Sequence, residues 1–285
     1  MTRTFADLHM HTTASDGTDS VDERVEQAQE YGIDCIAITD HDAMTDDLDD
    51  RYEERQGVEV IAGAEIKAGL DGDKVEVLGY FLDPADEELS RLFDRIERYR
   101  RERMQEMVAN VNAELGAEIT FEDVASRADA SIGRPHLARA LVDAGAADSV
   151  AEAFQEYIGD DCDAYVETEK VDAAEVIGTI HDNGGVASLA HPGRSLTPDD
   201  AYDRVGELVS SGLDAIEVPY TYDKLDEGRY QFGAETAKDL AQEFDLLVTG
   251  GSDCHGSGSD KFYLGDVRLP YRHVEALKER REEYA

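Results

Sequence analysis

Several things are missing from this 285-residue chain, and each absence narrows the reading. No apolar run approaches the roughly 20 residues that a membrane-spanning helix needs, and Met1 to Leu8 carries no signal-peptide pattern. The expectation is a soluble, cytoplasmic protein with no membrane partner and no obligate protein partner. Cysteine is scarce: Cys35, Cys162 and Cys254 are too few and too scattered for a disulfide framework. No Gly-x-Ser-x-Gly elbow and no convincing Ser or Cys triad is present, so a side-chain nucleophile has little support. Neither an internal repeat nor a low-complexity linker divides the chain. The largest deficit is positive charge. Only 27 bases, 20 of them arginine, stand against 66 acids, for a net charge of −39.

That excess of acid has three accounts. Disorder is opposed by the 41% apolar content and its regular periodicity. Metal binding needs only about ten imidazoles and carboxylates, far fewer than are here. A surface adapted to high salt fits best, because screening over a few Å removes self-repulsion and the acids are spread along the whole chain. The composition resembles that of salt-in halophiles and says little about substrate.

Short β-type runs alternate with helical patterns. Residues 5–12, 35–41, 59–66, 74–82, 185–191, 215–220 and 246–251 read as strands, with a turn at Asp71-Gly72 joining the third and fourth. Residues 20–31, 173–183, 199–211 and 228–243 read as helices. Such alternation predicts an α/β fold with a mainly parallel sheet. The middle breaks the rhythm. Leu89, Leu92, Phe93, Ile96, Tyr99, Met104, Met107, Val108 and Val111 form one helical stripe, and shorter helices follow at 120–128, 136–144 and 149–157. The expected organisation is therefore a barrel-like part, residues 1–85 and 165–285, interrupted by a helical insertion subdomain, 86–164.

Histidines and acids gather where the strands end. His9-Met10-His11 closes the first strand, and side chains two apart share a face, so both imidazoles can reach one ion. Thr39-Asp40-His41 ends the second strand and Glu65 the third; His191 closes the run 185–191, and Asp253-Cys254-His255 follows the last strand. Strand C-terminal ends are where α/β barrels assemble their sites. Mixed imidazole and carboxylate donors suit Zn, Mn or Fe better than Mg alone.

These segments, with Asp16-Gly17, Gly63-Ala64-Glu65 and Ala190-His191-Pro192, resemble the PHP (polymerase and histidinol phosphatase) superfamily over nearly all of the chain. Gly133-Arg134-Pro135-His136 and the helical insertion point towards its nucleotide phosphatase and 5′-3′ exoribonuclease branch. The resemblance implies a distorted (β/α)7 TIM-like barrel holding up to three divalent ions, manganese first among the candidates, then zinc, iron or magnesium. It implies that His9, His11, Glu65 and Asp253 hold one ion. A second would share Glu65 and use His191, with Glu76 standing where many relatives have a His. Asp16, His41 and His255 would take the third.

The implied chemistry is hydrolysis of a phosphate ester by metal-activated water. Ions about 3.5–4 Å apart neutralise the anion and bring the pKa of a bound water towards about 7. The substrate would be a small nucleotide, such as a 3′,5′-bisphosphonucleotide, or the 5′ end of a short RNA. Asp40 is a candidate for orienting His41 or moving protons, and His191 and His255 for protonating the leaving group. Arg134, His136 and Arg194 are the candidate phosphate contacts, since Arg donates bidentately to phosphate oxygens. Arg91, Arg95, Arg98, Arg100, Arg101 and Arg103 crowd one helix, either paired at i,i+4 as in Asp94–Arg98 and Glu97–Arg101, or forming a face for nucleic acid. Rival readings are an amidohydrolase-type hydrolase or deaminase, a histidinol-phosphatase-like activity, and a non-catalytic metal-binding domain.

Overall fold

In the computed structural model, residues 3–128, 131–226 and 228–284 are described. Along the chain lie β1 (Phe5–Met10), α1 (Val21–Tyr31), β2 (Cys35–His41), β3 (Tyr52–Arg55), β4 (Val58–Leu70), β5 (Asp73–Tyr80), α2 (Glu87–Leu115), α3 (Phe121–Ala125), α4 (Arg134–Asp143) and α5 (Val150–Glu152), which runs into a π-helical turn, Ala153–Ile158. Then come β6 (Val171–Asp172), α6 (Ala173–Asp182), β7 (Val186–Leu189), α7 (Pro192–Ser195), α8 (Ala201–Ser210), β8 (Ala215–Tyr220), α9 (Ala234–Glu243), β9 (Leu247–Gly251), β10 (Leu269–Pro270) and α10 (Arg272–Arg281). The chain divides into two compact units, Met1–Phe93 with Val171–Ala285, and Asp94–Lys170. The second boundary falls later than residue 164 because Val171 and Asp172 pair with Ala68 and Gly69 of β4.

The first unit is a nearly closed barrel. Its sheet runs β10-β1-β2-β4-β5-β7-β8-β9; without the edge strand β10 the path has seven strands, and β1 meets the segment just after β9 through a Met10–Cys254 bridge. His11 N–H donates to Cys254 O at 2.9 Å, and Asp253 N–H to His9 O at 2.9 Å. Four neighbouring pairs are parallel, as the strand–helix alternation predicts. The exceptions are the short edge strand β10, antiparallel to β1, and β5, antiparallel to both β4 and β7. The reversal of β5 has a local cause. Asp71 and Gly72, at φ 48° and 93°, form a two-residue turn, and so short a connection can only reverse the chain.

Two bulges decide which side chains face inward. Along β1 the pairing with β2 moves from Asp7↔Ile36 to Met10↔Ile38, three residues against two. Ala6 and Leu8 therefore pack inside with Cys35, Ala37, Ile61 and Leu78, while Met10 packs outside with Ile36, Ile38 and Val25 of α1. A strict alternation would have sent His9 and His11 outward with Asp7; the extra residue turns them in. The carbonyl of Leu8 at the bulge accepts from the buried Tyr80 hydroxyl at 3.0 Å. The second bulge lies in β8, between Glu217↔Thr249 and Tyr220↔Gly251.

The interior is apolar towards the strand N-termini, where Val274 and Leu277 of α10 join the same buried cluster. The strands β3 and β10 and the helix α10 are not among the expected elements: charged, weakly periodic residues hide β3 and α10, and β10 is only Leu269-Pro270. The expected helix 228–243 shortens to Ala234–Glu243. The strand expected to end at His191 stops at Leu189, leaving His191 in the turn before α7 with φ 22°.

The second unit is helical, with Met104, Met107, Val108, Val111, Leu137 and Leu141 in one buried cluster, so the later half of the expected stripe lies in its core, while Leu89, Leu92 and Phe93 fall in the first unit. Several arginines of α2 are engaged within the unit. Arg101 pairs with Glu97 at 3.8 Å, Arg100 donates to Ser131 Oγ and Arg103 to Val166 O. Arg98 reaches the longer Glu102 side chain at 3.8 Å instead of the expected Asp94.

Candidate metal centre

The strands deliver their donors to one mouth of the barrel. Glu65 comes from β4, and His41 pairs with it in register at the end of β2. Glu76 arrives from the reversed β5 because it sits early in that strand, opposite Lys67 near the far end of β4. Glu76 shares its face with Leu78 and Tyr80, which are buried inside the barrel. His191 and Asp253 follow β7 and β9 in left-handed backbone, at φ 22° and 53°. Non-glycine residues tolerate that region at functional sites when their surroundings hold them there. Gly251 lets β9 approach β1, since a Cβ there would lie 2.3 Å from His9 Cβ.

Three overlapping groups of donors result. In the first, His9 Nε2 and His11 Nε2 lie 3.3 and 3.5 Å from Glu65 Oε2, and 3.7 and 3.0 Å from Asp253 Oδ1. Two donors bound to one ion at about 2.1 Å, with angles between octahedral and tetrahedral, sit about 3.0–3.4 Å apart. The observed edges bracket that spacing. The second group is His41, Glu65 and Glu76, with His41 Nδ1 3.0 Å from Glu65 Oε2; His191 stands beside it, its Nε2 2.8 Å from Glu65 Oε1 and 3.4 Å from Glu76 Oε2. The third group is looser. Asp16, 57% exposed, lies 3.4 Å from His255 Nε2 and 3.9 Å from both His41 Nε2 and His11 Nδ1.

Buried polar atoms normally find a hydrogen-bond partner, and leaving one without costs about 1–3 kcal/mol. Here His9 Nε2, His11 Nδ1, His41 Nδ1 and Glu65 Oε2 are all buried with none. His9 Nε2 and His41 Nδ1 converge on Glu65 Oε2 while His11 Nδ1 faces Asp16, an arrangement that fits cation ligation. The protonation states agree. Burial would raise the Glu65 carboxyl, but His41 and His9 hold it well below the usual range. Burial opposes ionisation of Asp253 too, and the hydrogen bond from His11 and the charge of His9 outweigh it. Glu76 is held down at about 2, with Lys74 and His191 overcoming burial and the repulsion of Glu65. Burial beside His41 lowers His11 to about 3, leaving a neutral imidazole. Ionised carboxylates and neutral imidazoles are what metal ligation requires. Two imidazoles depart: burial pushes His9 down, yet Glu217 and Glu65 raise it well above the ordinary histidine value, and burial likewise lowers His41 while Glu65 raises it above its ordinary value.

Other candidate residues land differently. Asp40 does not orient His41. Neighbours on a strand face opposite ways, and Asp40 accepts instead from Thr12 N–H, Thr12 Oγ1 and Ser15 Oγ, tying down the loop that carries Asp16. His255 Nδ1 faces Asp253 O at 2.8 Å, which leaves Nε2 towards Asp16 and the Lys261 ammonium at 3.1 Å. Arg194, 34% exposed, donates to Tyr220 Oη at 3.0 Å and Asp253 Oδ2 at 3.3 Å. Arg134 and His136 belong to the helical unit. There Arg134 pairs with Asp160 at 2.8 Å and covers Phe154 and Tyr165, while His136 Nδ1 accepts from Gly133 N–H.

Several participants escaped sequence reasoning. Glu217 is fully buried against His9 and His191. Tyr220 donates to Asp253 Oδ2 at 2.7 Å. Arg24 of α1, also fully buried, donates to His11 O and Cys254 O and so fixes the two strand ends against each other. Lys67 and Lys74 approach Asp42 and Glu76 at 3.5 and 2.9 Å. An acid inside an otherwise apolar strand, Ala215-Ile216-Glu217-Val218, is the one signal that could have flagged Glu217.

Comparison with known proteins places this arrangement. The PHP domain family profile matches residues 7–170, more than half the chain. A 5′-3′ exoribonuclease of Haemophilus influenzae is 30% identical, covering 90% of this chain and 91% of its own. The phosphoribosyl 1,2-cyclic phosphate 1,2-diphosphodiesterase of Eggerthella lenta is 32% identical over 93% and 98%. A 3′,5′-nucleoside bisphosphate phosphatase of Chromobacterium violaceum is 29% identical over 88% and 87%. Among solved structures, a proposed metal-dependent phosphoesterase from Bifidobacterium adolescentis superimposes with a TM-score of 0.70 at 29% identity, covering 96% of both chains.

Proposed function

This chain belongs to the PHP domain family, and from that premise we propose a metal-dependent phosphoesterase acting on phosphate esters of ribose, either a 3′,5′-bisphosphonucleotide or the 5′ end of a short RNA. The observation that carries the reading is the set of unpartnered buried donors around Glu65. His9, His11, Glu65 and Asp253 would hold one ion, Glu65, Glu76 and His191 a second, and Asp16, His41 and His255 a third. Divalent ions supply positive charge for the phosphate oxygens and make a water acidic enough to attack at neutral pH.

The chain's own residues do the rest. Arg194 is already aimed at the mouth by Tyr220 and Asp253, and its guanidinium is the natural donor to a phosphate oxygen. Lys261 and the pair Lys67 and Lys74 add cationic charge at the same rim, 41%, 30% and 51% exposed. In a chain of net charge −39 these cations keep an anionic substrate from being repelled locally. We assign His255 to ligation, because Nδ1–H donates to Asp253 O and leaves Nε2 as an acceptor. His191 Nε2, between Glu65 and Glu76, is the better placed imidazole to receive or return a proton when it is not ligated. Manganese is the first metal to try, since imidazole and carboxylate donors are both present.

The test is phosphate or nucleotide release in molar salt with Mn²⁺. Candidate substrates are a 3′,5′-bisphosphonucleotide, 5′-phosphorylated RNA, a ribose cyclic phosphate and histidinol phosphate. Metal-dependent turnover of a ribose phosphate ester is expected. Metal-loaded protein that cleaves no phosphate ester, yet deaminates or hydrolyses an amide, would overturn the reading.

A further inference from the structure

Glu217 is an anomaly of placement. It lies in the middle of β8, wholly buried, with no lysine or arginine paired to it among the described residues. A buried carboxylate with no lysine or arginine beside it is expensive, so its hydrogen bonds must repay burial. Among the described residues they go to two. Oε1 and Oε2 lie 3.2 and 3.4 Å from His9 Nδ1, and Oε2 accepts His191 N–H at 2.8 Å.

Both contacts bear on the metal centre. With Nδ1–H donated to Glu217, the lone pair of His9 resides on Nε2, the buried atom without a hydrogen-bond partner that faces Glu65 and Asp253. The bond to His191 N–H pins the backbone at φ 22° and ψ 63°, which swings that imidazole onto Glu65 and Glu76. Geometry elsewhere protects the contact. The β8 bulge follows directly after Glu217, and bare Gly251 lets β9 sit against His9. The strand is shaped around this acid.

We infer that Glu217 is a positioning residue that couples the first and second ion sites, setting the His9 tautomer through its side chain and the His191 turn through its backbone. The inference rests on the reading that divalent ions bind at this mouth, and not on which phosphate ester is cleaved. Partners of ligating histidines of this kind are worth about 10–100-fold in metal affinity.

The experiment is calorimetric Mn²⁺ titration of the full chain, comparing wild type with Glu217→Gln and Glu217→Asp. Glutamine keeps the volume and one acceptor but loses the charge and the second acceptor; aspartate keeps the charge on a shorter arm. The tight binding steps should weaken about 10–100-fold in Glu217→Gln and less in Glu217→Asp. Any weak step that is abolished by Asp16→Ala should keep its affinity. Activity lost in Glu217→Gln should return at high Mn²⁺ with KM for the ester unchanged, a rescue that a purely structural role would not show. Unchanged affinity in a folded variant would overturn the inference, as would equal weakening of every step or failure of both variants to fold. If wild type itself binds no divalent ion, the metal reading fails instead, so the two failures are told apart.

Discussion

At the N-terminal ends of the barrel strands, Asp214 is 1% exposed and every oxygen lone pair it offers is used. Oδ1 accepts from Arg280 and from the Tyr284 hydroxyl, and Oδ2 meets His181 Nε2 and Ala187 N–H. At the C-terminal ends, Glu65 is equally buried, yet its Oε2 has no hydrogen bond and lies among His9, His11 and His41 at 3.0–3.5 Å. The same strands connect the two places. One end spends its polar groups on each other and closes the barrel with α10, while the other holds them apart and leaves them for cations. A carboxylate surrounded by donors is structure; a carboxylate surrounded by lone pairs is a binding site.

The sharpest way to break that contrast is at the mouth. Asp253→Asn keeps size and the bond from Tyr220 but removes a charge from the first ion site, so turnover should fall by at least about 10³-fold. The melting temperature of metal-free protein should stay within a few degrees of wild type, because the mouth is not what holds the fold together. Steady-state rates and calorimetry check both halves. Retained turnover would show that Asp253 is not a ligand.

The floor should answer the opposite way. Asp214→Ala strands Arg280, His181 and Ala187 N–H and should cost about 2–3 kcal/mol of stability. The value lies below that of a wholly sealed pair because Arg280 and His181 keep some water contact. Below its melting range the variant should bind Mn²⁺ and turn over as wild type does. Urea denaturation gives the first number and metal titration the second; a loss of metal affinity would show that the two ends are not independent.

The two ends also differ in how far they could be read from sequence. The mouth was legible because its chemistry is punctuated: His9-x-His11, Asp40-His41 and Asp253-x-His255 sit where apolar strands stop. The floor was not. Asp214 is one acid among 66, and α10 carries Arg272, Lys278, Arg280 and Arg281 with too weak an apolar period to stand out. Tyr220 was hidden for another reason. Its inward direction depends on the bulge after Glu217, and a single inserted residue flips a strand's faces without leaving a mark in the alternation pattern. Glu217 keeps the inward face of Ala215 by plain alternation, and only its acid among apolar neighbours marks it. Glu76 shows the converse: its residue type was readable, but only the reversed direction of β5 explains how an early strand position reaches the mouth.

A smaller effect separates the paired residues at the mouth from the unpaired ones. Arg194 is held by Tyr220 and Asp253 and is not a ligand, so Arg194→Ala should leave metal affinity nearly intact. Losing one charged hydrogen bond to phosphate should lower kcat/KM by about 10–100-fold, or about 1.5–3 kcal/mol. Arg194→Lys should recover part of it. An equal loss of Mn²⁺ binding would move Arg194 from substrate contact to support of Asp253.

The smallest expected effect probes whether charge, rather than hydrogen bonding alone, distinguishes the floor. Burial acts to raise the Asp214 carboxyl, but the bonds from His181, Ala187 N–H, Tyr284 and Arg280 bring it below its ordinary value. A carboxyl depressed in the folded state binds protons more weakly there than in the unfolded chain. Its stabilisation is therefore complete above the unfolded value near 3.8 and is lost as pH falls through the lower folded one. Asp214→Asn keeps the shape and removes the charge, so wild type should exceed it by about 1 kcal/mol at neutral pH. That gap should hold steady down to about pH 5 and close below about pH 4, as wild-type Asp214 takes up a proton and becomes the neutral group that asparagine imitates. Urea titrations of both proteins across this range, in chelator, keep the metal sites out of the comparison. A gap that persists undiminished at about pH 3 would mean that the floor is held by hydrogen-bond geometry and not by the charge of Asp214.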